Sequence, residues 1–567
     1  MKTYITQKPK FQTAERMAFY FFMVITVTWF FFFIGKGIDI TDQAYYLARY
    51  KYYFDAELNV KNMGTFLTDL LGAGIYKISD SCQAIILSFC SWLLYMGSGV
   101  LIYNWIKSYI PNILALVSVF FGSLFSLTWI HIMNYNATSM FILVLSIFLL
   151  MRGIEKEEKK WFYMAGFSLG LNTFFRVPNV LQICIGVCIL WYFILCKDEA
   201  KKGVRNFARY VAGVCGGWII GGILLFAIIG KKNIFAYVVK TANTASDSQS
   251  SHGIGNILWN LYTGAKEGIL VWLYVAVPII LFLAVFFVIR LKIEYSKFKI
   301  VNYISIVIMI CYGSFIGQQL PWQVFCKMLG SGMIIIAFVG IFYFKKRNPI
   351  ISTASVVLFC TEFVLCIGTD NAWNYHLVFM MVPFSIFILI AWNAQDIRIS
   401  KEVKLGLLCL AVMTFVVGST FAVQYVYRDE ANENLQYTIS AREYKGIETS
   451  KERSEYLNCL VEEMDKMDGK YLLAHGDFNI GYVITDKKPF LENIWNDLAS
   501  YPVDKFETDL ENGIQEKGYP IILLADVDKN GVYRNEEKLA LIEQVLEEGT
   551  YKCSYENEWY KIYIPAM

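Results

Sequence analysis

Residues 17–50 read MAFYFFMVITVTWFFFFIGKGIDITDQAYYLARY. The first half, Met17–Gly35, carries no charged side chain and has about the 20 apolar residues needed to cross a bilayer as a helix. A surface helix would show polar residues every third or fourth position throughout, whereas only Thr26 and Thr28 fall within this run. Asp39 and Asp42 follow immediately, in a segment rich in tyrosine and ending in Arg49. The chain therefore leaves a hydrophobic span and at once presents two carboxylates at the membrane boundary.

Comparable runs recur along the chain. Of its 567 residues 56% are hydrophobic, 17% aromatic and only 17% charged, against about 25% charged in a typical soluble protein. Windows of roughly 20 apolar residues give about 13 spans. They lie near Met17–Gly35, Gln83–Trp105, Ile113–Trp129, Ala137–Met151, Trp161–Phe174, Val180–Leu195, Tyr210–Ile229, Ile269–Ile289, Ile300–Ile316, Val324–Phe344, Ile351–Ile367, Leu377–Trp392 and Leu405–Val423. The expected fold class is an all-α polytopic membrane protein carrying a small C-terminal α/β domain. Its organisation is 1–427, membrane-embedded, with long loops 36–82 and 230–267, followed by a domain over 428–567.

The net charge of +3 conceals an asymmetry, because the chain from Arg428 onward is acidic, at about −13. The basic residues elsewhere sit in short clusters between apolar runs. That is the pattern of cytoplasmic loops and not of a nucleic-acid-binding surface, so no nucleic-acid partner is expected. Loops on one side, such as those holding Arg152/Lys156/Lys159/Lys160 and Lys345/Lys346/Arg347, carry about twice the Lys and Arg of the other side. By the positive-inside rule the N-terminus is cytoplasmic and the C-terminal domain extracytoplasmic, in a plasma or inner membrane. Without an evident cleavage site after it, the first run reads as a retained span.

In the first outer loop, Met63–Ser79 suggests a helix lying along the interface. In the second, Thr244–Gly255 is Ser- and Gly-rich, as mobile loops are. In the terminal domain Thr449–Met467 and Glu536–Glu548 read as helices, and Tyr471–Ala474, Pro520–Ala525 and Trp559–Ile564 as strands. Cysteines Cys184/Cys188 and Cys360/Cys366 fall within apolar runs, where cysteine packs as a small hydrophobe. Cys459 and Cys553 can pair if the terminal domain faces an oxidising compartment. The four histidines, His131, His252, His376 and His475, all fall on the outer side without metal-ligand spacing. No metal site or cofactor is expected, and a divalent metal stays open.

Two readings of Gly37–Tyr50 are open. If a helix begins there, Asp42, Tyr45/Tyr46 and Arg49 share one face and present a carboxylate, phenols and a guanidinium together. Alternatively Asp39 and Asp42 simply start the helix as caps. Trp129, Trp322, Trp373 and Tyr375 can stack on a ring-shaped ligand or form the interfacial aromatic belt.

The layout resembles the GT-C superfamily of membrane glycosyltransferases, such as the bacterial aminoarabinose transferase of lipid A and the protein O-mannosyltransferases. Their first outer loop has a signature similar to D-E-x-x-Y, matched by Asp42-Gln43-Ala44-Tyr45-Tyr46 except at Gln43; Tyr135-Asn136 is similar to a pair in some bacterial members. The resemblance implies a GT-C-like fold, a polyprenyl-phosphate-linked sugar donor and a glycan, lipid or protein acceptor at the outer face. It also implies an essential carboxylate, Asp42 before Asp39, with Tyr45, Tyr46, Arg49, Lys61, Asn136, Arg176, Asp370 and His376 as substrate-binding candidates. A Lys-Pro-Pro-Leu-like segment near the donor phosphate is absent; Asn62–Thr65 stands there, leaving Lys61, Arg49 and Arg176 as replacement cations. A flippase for lipid-linked glycans should show internal repeats and charges at mid-span, and a membrane polysaccharide polymerase has less reason for a terminal α/β domain.

Overall fold

The structure, a computed structural model, describes residues 13–230 apart from 59, 127–130 and 197–198, then 322–365, 381–394 and 416–566 apart from 499 and 550, with scattered positions between 234 and 315. The protein is mostly helical and multi-pass. Helix α1 spans Thr13–Thr28 and tightens into a 3₁₀ turn at Trp29–Phe32; α2 covers Asp42–Tyr52 and α3 Phe66–Tyr76. Then come α4 Gln83–Ile106, α5 Asn112–Ser126, α6 Tyr135–Lys156, α7 Lys159–Asn172, α8 Val187–Leu195 and α9 Ala200–Ile229, followed by α10 Trp322–Phe344, α11 Pro349–Leu365 and α12 Met381–Asn393. Among the described residues, 6 helical stretches are long and apolar enough to cross a membrane, including α4, α6, α9 and most of α10. Every span expected before residue 230, and those around 324–344, 351–367 and 377–392, has a helix beneath it. The remaining spans, and the Thr244–Gly255 loop, lie mostly or wholly outside the described residues.

Apolar helices gain little hydrophobic drive from one another within lipid, so they pack where small residues let backbones approach. Helices α7 and α9 do this. A Cβ on Gly166 would sit 1.9 Å from the Tyr210 carbonyl oxygen, and one on Gly213 would sit 2.1 Å from that of Tyr163. The charged helix ends gather at one side of the bundle: Lys202 pairs with Glu157 at 2.5 Å, and Arg152 with Glu155 at 3.1 Å. The loops at the other side are tied by hydroxyls, Tyr50 Oη donating to the Met133 carbonyl (2.9 Å) and Thr68 Oγ1 to that of Phe175 (3.0 Å).

After the last span the chain builds two sheets. A small one pairs β1 (Tyr437–Thr438) with β2 (Glu448–Thr449). The main one has five strands in the order β4-β3-β5-β7-β6, with β3 Tyr471–His475, β4 Lys488–Pro489, β5 Ile521–Ala525, β6 Tyr551–Glu556 and β7 Tyr560–Pro565. Strands β4, β3 and β5 are parallel, and β7 and β6 run antiparallel to their neighbours. Helix α13 (Lys451–Asp465) is capped by Ser450 Oγ, and α14 (Ile480–Ile484) follows β3. Both lie over the face that holds Leu472, Ala474 and Leu523. The opposite face, with Leu473 and Ile522, is covered by α15 (Val503–Lys517) and α16 (Glu536–Glu548). The expected strands and helices of the domain are thus present, joined by α15, β4 and β6. Cys459 and Cys553 do not pair: both are free, and Cys459 Sγ lies 3.0 Å from Tyr555 Oη.

The core over β3 and β5 does not stop at the domain. Ile38, Ile40, Ala44, Tyr46, Leu47 and Tyr50 of the first outer loop belong to it. Ile480 donates its backbone N–H to the Ile40 carbonyl (3.0 Å), and Lys51 Nζ donates to the carbonyls of Val483 (2.7 Å) and Thr485 (3.0 Å). The first loop and the terminal α/β layer fold as one body.

Candidate active site

The turn that ends the first span makes this junction possible. Gly37 has φ +90°, and a Cβ there would lie 2.2 Å from Val426 Cγ1, so only glycine fits where the chain entering the terminal domain crosses. Gly37 N–H donates to the Glu448 carbonyl (2.8 Å), and Glu448 N–H returns to Gly35 (2.8 Å). Residues about 390 positions apart in sequence are thereby brought side by side.

The two carboxylates take different roles in this frame. Asp39 is 3% exposed; its Oδ1 accepts from Thr41 N (3.0 Å) and Thr41 Oγ1 (2.8 Å), and its Oδ2 accepts from Gln43 N (2.8 Å). Thr41, at the cap position of α2, makes no side-chain cap bond. Asp39 supplies the acceptor a helix start requires.

Asp42, the first residue of α2, has its side chain 18% exposed. Its Oδ2 accepts from Tyr427 Oη (2.8 Å) and faces Arg428 Nη1 at 3.1 Å. Its Oδ1 accepts no hydrogen bond from any described residue. Burial pushes the Asp42 carboxyl up to about 6; Arg428 and the Tyr427 hydroxyl pull it down, and Asp39 pushes it further up. Beside it lies a small cleft lined by Lys36, Gly37, Asp39, Gln43, His131 and Tyr427.

The helical face expected for α2 divides in two. Asp42 and Tyr45 look outward, and the Tyr45 ring is 5.0 Å from that of Trp495. Tyr46 and Arg49 are buried: Tyr46 packs 5.7 Å from Tyr135, and Arg49, 3% exposed, lies 5.2 Å over the Tyr45 ring and forms a buried ion pair with Asp69 of α3. Arg49 does not face the cleft. Lys61 lies over the Tyr53 ring (5.9 Å), at the end of α2 remote from Asp42, about 15 Å along the helix. Arg176, 5% exposed, lies over the Tyr135 ring (5.2 Å), and the adjacent Asn136 keeps its side-chain oxygen buried without a hydrogen bond. Asp370 and His376 fall outside the described residues.

Other groups near Asp42 carry no local sequence signature. Tyr427 and Arg428 follow the last span, and Asp477 lies in the turn after β3, at the carboxyl end of a parallel strand. Asp477 is 7% exposed and its Oδ1 accepts from Trp495 Nε1 (2.5 Å). Burial raises its carboxyl to about 7, Asp497 and Asp42 adding to the rise and Trp495 and Arg428 opposing it. Among the described residues no group of three His, Cys, Asp or Glu side chains is placed to hold a metal ion.

Residues 65–226, from the start of α3 through most of α9, match the family of dolichyl-phosphate-mannose-protein mannosyltransferases. The archaeal oligosaccharyltransferase AglB from Archaeoglobus fulgidus, solved with an inhibitory peptide and a dolichol-phosphate, is similar over 91% of this chain and 70% of its own, at 11% identity and a TM-score of 0.45. ArnT from Cupriavidus metallidurans bound to undecaprenyl phosphate is similar over 96% of this chain and 98% of its own, at 8% identity and a TM-score of 0.40. No curated protein matches the sequence.

Proposed function

We propose that the protein transfers a sugar from a polyprenyl-phosphate-linked donor to a glycan, lipid or protein acceptor of the cell envelope, at the outer face of a plasma or inner membrane, with Asp42 as general base. The observation that carries this reading is the state of Asp42: one oxygen is pinned by Tyr427 and Arg428, the other accepts no hydrogen bond from a described residue, and the partly exposed side chain neighbours a small cleft lined by Asp39, Gln43 and Tyr427. A hydroxyl nucleophile must lose its proton as it attacks the anomeric carbon, and a positioned carboxylate of raised pKa suits that task. A single base and direct attack opposite the leaving phosphate invert the anomeric centre. The carrier's tail stays in the bilayer, so the reacting carbon sits where Asp42 lies. Arg176 is the buried cation we assign to the departing phosphate. Tyr45 and Trp495 offer ring faces to the sugar or acceptor. The net basic bias of the opposite loops supports a cytoplasmic N-terminus and an outward terminal domain.

The test uses membrane vesicles of both orientations, polyprenyl-phosphate-linked sugar extracted from membranes, and extracted envelope acceptors. Right-side-out vesicles are expected to glycosylate externally added acceptor, release free polyprenyl phosphate, and lose the reaction as pH falls through about 6, where the Asp42 carboxyl protonates. Transfer confined to inverted vesicles reverses the topology. Translocation of the donor with its sugar intact replaces the transferase by a flippase.

A further inference from the structure

Arg428 has no place in the expected loop signature, yet among the described residues it is the cation that pairs with Asp42. It stands at the junction between the last span and the terminal domain, with φ +53°, a left-handed conformation that non-glycine residues rarely adopt. Its guanidinium reaches Asp42 Oδ2 at 3.1 Å and also donates to Thr41 Oγ1. Its own backbone is held from the other side. Arg453, on α13, donates to the Arg428 carbonyl (2.6 Å) and to the Ile38 carbonyl (2.7 Å), and pairs with Asp429 at 3.2 Å. Asp429 Oδ2 accepts in turn from Ile38 N (2.8 Å) and Thr449 Oγ1 (2.6 Å). A continuous chain of polar contacts runs from α13 and β2, through residues 428–429, to the carboxylate of Asp42.

We infer that Arg428 is a positioning residue that fixes the orientation and charge state of the Asp42 carboxylate, and that the Arg453–Asp429 clamp makes this setting depend on the docked terminal domain. The inference rests on the reading of Asp42 as the base. The strain in the Arg428 backbone fits such a role, because strain persists only where surrounding contacts hold it. The groups facing Asp42 are Arg428 and Tyr427 from the junction, Asp39 from its own loop, Tyr46 from its own helix, and Asp477 from the turn after β3. Arg428 alone among them is a cation, so its removal leaves Asp42 among carboxylates and phenols.

The experiment is pH-dependent labelling of the full-length protein in detergent with a water-soluble carbodiimide, which reacts with the protonated carboxyl, read at Asp42 by peptide mass spectrometry. It needs no sugar donor. In the unaltered protein the labelling midpoint is expected near pH 6. Arg428→Asn, which tolerates the left-handed backbone but lacks the charge, should move it up by about one unit. Arg428→Lys should restore most of the original midpoint. Arg453→Gln, which leaves Arg428 in the chain but releases its backbone, should move the midpoint the same way by less. An Arg428 that serves only as a structural tie would lower thermal stability without moving the midpoint. An unchanged midpoint in Arg428→Asn overturns the inference; if that variant does not fold, an unchanged midpoint in Arg453→Gln does so. Full transfer by Asp42→Asn instead removes the base reading, which separates the two failures.

Discussion

Replacing Asp42 with Asn is expected to lower sugar transfer by roughly 10²-fold or more while the protein still folds. The amide keeps the size of the side chain and an oxygen to accept from Tyr427, so the contact at 2.8 Å can persist. What is lost is the basic oxygen, Oδ1, that accepts no hydrogen bond from a described residue. Asp39→Asn should behave differently. Asp39 uses both oxygens to start α2, taking three hydrogen bonds in a buried position. An amide there can satisfy only part of that set, so stability falls by about 1–3 kcal/mol and transfer falls far less than in Asp42→Asn. Initial rates of both variants in the vesicle assay, beside their thermal midpoints, decide the matter. Normal transfer by Asp42→Asn with loss in Asp39→Asn would reverse the two assignments.

The largest expected effect on stability comes from Asp69. Its carboxylate and the Arg49 guanidinium are 0% and 3% exposed, and Thr65 Oγ1 hydrogen-bonds to both. Asp69→Ala strands the Arg49 charge in the interior between α2 and α3, a change that typically costs about 3–5 kcal/mol. Because α2 carries Asp42, the site should be lost together with the fold of the loop. Replacing both partners with apolar residues, Arg49→Met with Asp69→Leu, should recover much of the stability, since a buried ion pair gives little net gain over a well-packed apolar one. Fluorescence-detected size-exclusion chromatography after heating measures this directly. A stable Asp69→Ala variant with impaired transfer would instead make Arg49 a substrate contact.

How much of this was readable in the chain depends on the reach of each contact. The membrane helices announce themselves through long apolar runs such as Met17–Gly35, where solvent alone dictates the composition. In the terminal domain α13 and α16 show their polar caps, Ser450 and Asn535, ahead of an apolar stripe. Helix α15 escaped because its buried residues are only Phe506, Leu510 and Gly513 among many charges. Strand β6 escaped because it is a sheet edge, mostly exposed and without alternation. Within the candidate site, the pair Asp39 and Asp42 is local, and the helix start between them is visible in the spacing. The burial of Arg49 required knowledge of Asp69, twenty residues on and on another helix. The approach of Tyr427, Arg428 and Asp477 to Asp42 depends on the crossing of Gly37 and Val426, which no window of sequence contains.

The most direct test of the account is a cryo-electron microscopy structure of the full-length protein with a non-hydrolysable polyprenyl-phosphate-linked sugar. The account predicts the sugar at the cleft beside Asp42, lined by Lys36, Asp39, Gln43, His131 and Tyr427, its anomeric carbon within one hydroxyl's reach of Asp42 Oδ1, and its carrier tail in the bilayer. A sugar bound midway along a path through the membrane, with the cleft beside Asp42 empty, would contradict it.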